Sequence, residues 1–184
     1  KVREMVLPAI EKSGPIEAWI IDDTSFPKQG KHSVGVHHQY CGQLGKQANC
    51  QVAVSLSVAN HAASLPVAYR LYLPEAWSKD RARRKKAGVP KQIKFKTKPQ
   101  IALEQIRWAC ESGLPRGVAL MDAAYGRDAR LRAGMTNSWR IFDEMDVREP
   151  SRLPRCRCCV LTWDASLAAS SANRKPTYDP SSKP

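Results

Sequence analysis

Apolar positions near the start of the chain recur at helical spacing: Val2, Met5, Val6 and Ile10 fall on one face, and Ser13-Gly14-Pro15 stops the run. The period then changes. Ala18-Trp19-Ile20-Ile21 is a continuous apolar strand that ends on Asp22-Asp23-Thr24 and a Pro27-Lys28-Gln29-Gly30 turn. Further strands are expected over Ser33 to Cys41, over Cys50 to Asn60, where Val52, Val54, Leu56 and Val58 alternate, and over Leu65 to Leu73. The short connection Asn60-His61-Ala62-Ala63 favours antiparallel neighbours, so the first three or four strands read as a meander. After Pro99 a helix to about Ser112 puts Ala102, Leu103, Ile106, Ala109 and Cys110 on one face, and Gly113-Leu114-Pro115 ends it. A second apolar strand, Val118-Ala119-Leu120-Met121, runs into Asp122, an Ala123-Ala124-Tyr125-Gly126 turn and a short helical pattern around Asp128 to Arg132. Strands, helix, strand, helix is the order of an α/β domain.

Neither period is sustained beyond about Thr136, and Ser, Pro and Arg accumulate to the end. The reading is therefore a lead-in helix over residues 1–15 from a truncated N-terminal region, a domain over 16–136, and a disordered tail over 137–184 that buries too little to offset its ordering entropy. With 42% hydrophobic residues the chain has the composition of a globular domain, and no apolar stretch is long enough for a membrane helix. A location in the cytoplasm is expected. Cys41, Cys50 and Cys110 stand among small or apolar neighbours, as reduced core residues do. Cys156-Arg157-Cys158-Cys159 lacks a second ligand pair, and all four histidines precede residue 62, which argues against zinc.

Thirty basic residues against seventeen acidic give a net charge of +13, which favours a polyanionic partner, above all nucleic acid. Ten of the basic residues lie between 79 and 98 against the single acid Asp80, so Arg81, Arg83, Arg84, Lys85, Lys86, Lys91, Lys94, Lys96 and Lys98 are the candidate DNA contacts. The bland alternative is a solvated basic loop. The candidate chemistry lies elsewhere. If the two apolar strands that end in aspartate are parallel neighbours, Asp23 and Asp122 converge on one sheet edge and can hold hard divalent cations. Two such ions can activate an attacking oxygen and stabilise the leaving oxygen of a phosphodiester. The competing structural reading makes Asp23 a turn residue and Asp122 the cap of the next helix.

The run from Ile21-Asp22-Asp23-Thr24-Ser25-Phe26-Pro27-Lys28-Gln29-Gly30 to Ser33-Val34-Gly35-Val36 closely resembles insertion-sequence transposases of the DDE superfamily. So do Gln39-Tyr40-Cys41-Gly42, Asn49-Cys50-Gln51-Val52, Arg70-Leu71-Tyr72-Leu73-Pro74-Glu75, Ala87-Gly88-Val89-Pro90, Thr97-Lys98-Pro99 and Met121-Asp122-Ala123-Ala124-Tyr125-Gly126, in the family's order. The resemblance spans about residues 16 to 135. It implies a ribonuclease H-like mixed sheet with flanking helices, here incomplete, and DNA cleavage and strand transfer at transposon ends and target. It also implies three acidic residues holding magnesium, with manganese as a substitute. The first acid maps onto Asp23, with Asp22 beside it as the second choice, and the second onto Asp122. The third, a glutamate on a later helix, has no match; Glu144 and Glu149 come too soon. Loss of resemblance and periodicity together at Asn137-Ser138-Trp139-Arg140 suggests a frameshift, the alternative being a divergent C-terminus.

Three functional readings follow. One is a fragment of a two-metal transposase, inactive by itself. Another is a non-catalytic DNA-binding remnant, and the two differ only in activity. The third is a phosphatase of the haloacid dehalogenase type, whose first two aspartates are spaced by one residue, whereas Asp22 and Asp23 are adjacent. Oligomeric state stays open, a homodimer of the full-length protein being one option.

Overall fold

The computed structural model describes residues 2–145 and 161–163, with side chains as far as residue 138. Helix α1 (Val2–Glu11) precedes four strands, β1 (Ala18–Pro27), β2 (His37–Cys41), β3 (Lys46–Ala59) and β4 (Ser64–Leu71). Two short helices, α2 (Glu75–Lys79) and α3 (Arg81–Lys86), lead to the longer α4 (Lys98–Glu111). Then come β5 (Val118–Asp122), α5 (Ala123–Gly126), α6 (Ala129–Met145) and β6 (Leu161–Trp163).

The sheet runs β2-β3-β1-β5-β6, with β4 also paired to β3. β1 is antiparallel to β3, from Ala18 opposite Ala59 to Pro27 opposite Cys50, and parallel to β5, from Ala18 beside Val118 to Ile21 beside Met121. It is the mixed, ribonuclease H-like sheet expected from the sequence. The expected meander holds only from β2 through β3 to β4: β1 pairs with β3 and not with its successor β2, which pairs with the first residues of β3. Pro66 cannot donate to a ladder, and the β3–β4 register slips between Leu56 and Ser57, opposite it. Asn60 fixes the hairpin: its Oδ1 accepts from the Ala62 and Ala63 amides, while its Nδ2 donates to the Ile10 and Gly14 carbonyls and ties α1 to the turn.

One face of the sheet carries the main core. Trp19 and Ile21 of β1, Val54, Leu56 and Val58 of β3, and Ala119 and Met121 of β5 pack against Ile101, Ala102, Ile106 and Ala109 of α4 and Leu131 and Met135 of α6. Thr97 and Gln100 form a reciprocal capping box at the start of α4, and Pro99 sits in its first turn, so the local sequence alone fixes where this helix begins.

Four expectations change. The strand foreseen over Ser33 to Cys41 starts only at His37, because Ser33 to Val36 forms a turn with Gly35 at φ +77°. α1 uses half of its apolar face: Ile10 is buried, whereas Val2 and Met5 are 69% and 77% exposed. The basic segment is not a loop throughout, for α3 spans Arg81–Lys86 and its Arg83 stacks on Trp77, which is fully buried with Val36 and Leu73 and donates from Nε1 to the Val36 carbonyl at 2.7 Å. The first strand does not end on Asp22-Asp23-Thr24 but runs on to Pro27, paired with β3 throughout. Helix α6 continues to Met145, and β6 lies parallel to β5. Ser138 is buried and donates to the Gly134 carbonyl within its own helix at 2.8 Å. Glu149, the Cys156 cluster and most of the expected tail lie outside the described residues. Cys41, Cys50 and Cys110 are buried free thiols, as expected.

Candidate active site

The parallel pairing of β1 and β5 sets the C-terminal end of β5 beside the middle of β1, which runs on past Asp22 and Asp23 to Pro27 against β3. Alternation buries Trp19 and Ile21 on one strand and Ala119 and Met121 on the other, and leaves Asp22 exposed. Ile21 lies beside Met121, so the next step along both strands sets Asp22 beside Asp122, across a strand spacing of about 4.8 Å. Asp23 alternates to the opposite side of β1. The Ser55 hydroxyl donates to the Asp22 carbonyl at 3.0 Å and anchors this stretch of backbone.

The three carboxylates have different partners. Asp122 caps α5, its Oδ1 accepting from the Tyr125 amide at 3.0 Å, so the structural reading of this residue is realised. Asp22 Oδ1 accepts from the Asp23 amide at 2.7 Å. Asp23 is held at both oxygens, by the Lys98 ammonium at the start of α4 and by the Tyr125 hydroxyl. Among the described residues, the second oxygens of Asp22 and Asp122 accept no hydrogen bond.

Electrostatics follow this crowding. Loss of hydration pushes the Asp22 carboxyl above the usual carboxylate range; the amide hydrogen bond from Asp23 opposes the rise, and the like charges of Asp23 and Asp122 add to it. Tyr125 is buried beside all three acids, and burial, then the charge and hydrogen bond of Asp23, keep its phenol protonated far above the ordinary value. It is therefore a fixed donor.

The candidate DNA contacts divide into two groups. Arg81, Lys85, Lys86, Lys91 and Lys94 are exposed. The other four hold the fold: Arg83 stacks 3.7 Å from the Trp77 ring and donates to the Lys31 carbonyl, and Arg84 donates to the Ser78, Pro90 and Ile93 carbonyls. Lys96 pairs with Glu104, and Lys98 with Asp23. Thr97-Lys98-Pro99 and Ala124-Tyr125-Gly126 were visible as motifs, but the reach of Lys98 and Tyr125 to Asp23 is a long-range contact that no local pattern encodes.

The sequence profile of the DDE superfamily endonucleases matches residues 1–142. The chain belongs to this family. The match extends beyond both ends of the resemblance expected over 16 to 135. Over 144 residues, 78% of its length, this DDE endonuclease chain is 30% identical to a probable transposase for insertion sequence element IS701 from Microchaete diplosiphon. It spans about a third, 33%, of that relative's length. No solved structure matches it.

The superfamily generally uses divalent metal ions. Asp22, Asp23 and Asp122 supply hard carboxylate oxygens, which is the donor chemistry such ions take. Among the described residues, no group of three or more His, Cys, Asp or Glu side chains is close enough to hold an ion. No helix among them is long and apolar enough to cross a membrane.

Proposed function

We propose that this chain carries part of the active site of a cytoplasmic transposase that cleaves DNA and transfers strands by two-metal phosphoryl transfer, and that the 184-residue chain alone binds DNA without cutting it. The observation that carries the reading is the parallel ladder of β1 and β5, which stops at Ile21 and Met121 and is followed by Asp22-Asp23 on one strand and Asp122 on the other. Asp122 and the Asp22-Asp23 pair of β1 would hold magnesium or manganese there. When bound, the metals supply activation of the attacking oxygen and stabilisation of the leaving oxygen. The protein's own part is placement: Tyr125 fixes the end of β5 against the middle of β1, and exposed Lys and Arg hold the phosphate backbone.

Binding and chemistry separate in this chain. Each phosphate neutralised releases counterions and contributes a slope of about −0.9 to the dependence of log K on log salt, so five exposed basic residues support a slope near about −4 to −5. Replacing Arg81, Lys85, Lys86, Lys91 and Lys94 with Gln should flatten that slope without changing the melting temperature. Cleavage needs a third carboxylate, and the described residues bring none to Asp22 and Asp122 besides the engaged Asp23. Supercoiled plasmid incubated with magnesium or manganese should show no nicking above an Asp122→Ala control. Nicking by the unmodified chain that vanishes in that variant would refute the claim of an incomplete site.

A further inference from the structure

The irregular segment between α3 and α4 walls a cavity of about 430 Å³ against the end of β4. We propose that this cavity seats one unstacked nucleotide of a bound DNA strand, its base against the aliphatic walls and its phosphate toward the exposed ammonium of Lys94. The proposal rests on the reading above that the chain binds DNA, and it adds a base-holding site to the backbone contacts.

Three observations carry it. The first is the lining: Val89 and Ile93 of the connecting segment share the cavity with Leu71 and Leu73. Ile93 is 44% exposed and Leu71 38%, so this apolar lining opens to solvent, and the flat faces of a base suit such walls. The second is charge. Arg70, Lys94 and Lys96 also line the cavity, and Glu104 neutralises Arg70 and Lys96. Lys94 is exposed and has no ion pair or hydrogen bond among the described residues, and Lys91, between the lining residues Pro90 and Gln92, is exposed as well. The third is rigidity. The Arg84 guanidinium donates to the Pro90 and Ile93 carbonyls at 3.1 and 2.5 Å, and the Val89 amide donates to the Arg84 carbonyl at 2.9 Å. The wall is thus shaped before a ligand arrives, which removes part of the ordering cost of binding.

A nucleotide answers all of these features together. A purely apolar ligand would make no use of Lys94, and a free phosphate would make none of the aliphatic walls. The size fits a small-ligand site, these running from about 300 to 1,000 Å³. Gln92 adds an amide donor and an amide acceptor to the lining, the two kinds of group that a base edge presents. A base that is paired and stacked is costly to draw out, and one without a partner costs least. The chain should therefore favour DNA that contains an unpaired nucleotide.

The test compares two duplexes of equal charge, one with 2-aminopurine opposite thymine and one with it opposite an abasic site. Binding of the 184-residue chain is followed by anisotropy at one salt concentration, and unstacking by the rise in 2-aminopurine fluorescence. The duplex with the unpaired base should bind about fivefold more tightly or better, and its fluorescence should rise on binding. Ile93→Asn strips the wall at an exposed position, and Val89→Met narrows the cavity without adding charge. Each should abolish both the preference and the rise while affinity for the paired duplex, held by its backbone, stays within about twofold, with circular dichroism verifying the fold. Lys85→Gln, outside the cavity, should weaken both duplexes alike. Equal affinity for the two duplexes with the salt slope intact would overturn the proposal and leave the DNA-binding reading standing. A preference that survives both cavity variants would put the unpaired base elsewhere and overturn it too. An acidic, leucine-bearing peptide that binds the unmodified chain but not Ile93→Asn, with both duplexes bound alike, would assign the cavity to a protein partner instead. If neither duplex binds at low salt, the DNA-binding reading fails and the proposal with it.

Discussion

Glu104 receives two cations from different parts of the chain, Arg70 of β4 and Lys96 of the segment leading to α4. Burial raises its pKa, but the hydrogen bonds and charges of Lys96 and Arg70 outweigh that and hold the carboxyl below the usual range. A depressed folded-state value means that the unfolded chain binds the proton more readily. The contribution to stability is therefore present above the ordinary glutamate pKa and lost as pH falls through the folded value. Glu104→Gln should cost about 1 kcal/mol or less at neutral pH, the pair being partly exposed, and the difference in melting temperature should shrink steadily on acidification. A difference that is constant with pH would mean packing, not charge, is at work. At this scale the sequence is least informative. The basic run from Arg81 to Lys98 looks uniform in composition, yet Arg84 braces three carbonyls while Lys85 next to it faces solvent. Which cation is structural depends on distant carbonyls and rings, and these have no signature at the position itself.

At the scale of elements the sequence is far more legible. β3, β5 and α4 are all found close to where periodicity and punctuation put them, because an apolar period, a capping box and a glycine stop are local signals, whereas β1 starts where expected and runs on past its two aspartates because β3 pairs with it to Pro27. The adjacency of β1 and β5 was conditional in the sequence and is settled by a close contact at their start. A Cβ on Gly117 would lie 2.4 Å from the Glu17 carbonyl carbon and 2.5 Å from the Ala18 nitrogen, and both are backbone atoms that cannot rotate away. Gly117→Ala should therefore force the two strands apart where their pairing begins and destabilise the fold by about 3 kcal/mol, measured by denaturant titration. It should also loosen the Asp22–Asp122 approach, although neither acid is touched. A variant as stable as the parent would show that the strands tolerate a wider separation than their ladder implies.

For the whole molecule, the family match to residue 142 and the continuation of α6 to Met145 place the end of the regular structure beyond Thr136. Met135 is fully buried in the core shared with α4, and Ser138 is nearly so. Truncation after Thr136 should lower the melting temperature by several degrees and broaden the transition, whereas a mere tail would leave both unchanged. The fold class is readable because it depends on the order of elements. The pairing of β1 with β5 also has a kinetic side. β3 and β4 meet through a four-residue turn, but Ala18 meets Val118 a hundred residues along the chain, so this contact closes the largest loop in the described sheet. Such non-local contacts reward the chain only after the closure entropy has been met, and they form late. The mutual repulsion of Asp22 and Asp122 is thus encountered when most of the core already exists to resist it. Assembly of the acidic pair is in this sense a report that folding is finished, and partly folded chains do not carry the paired site.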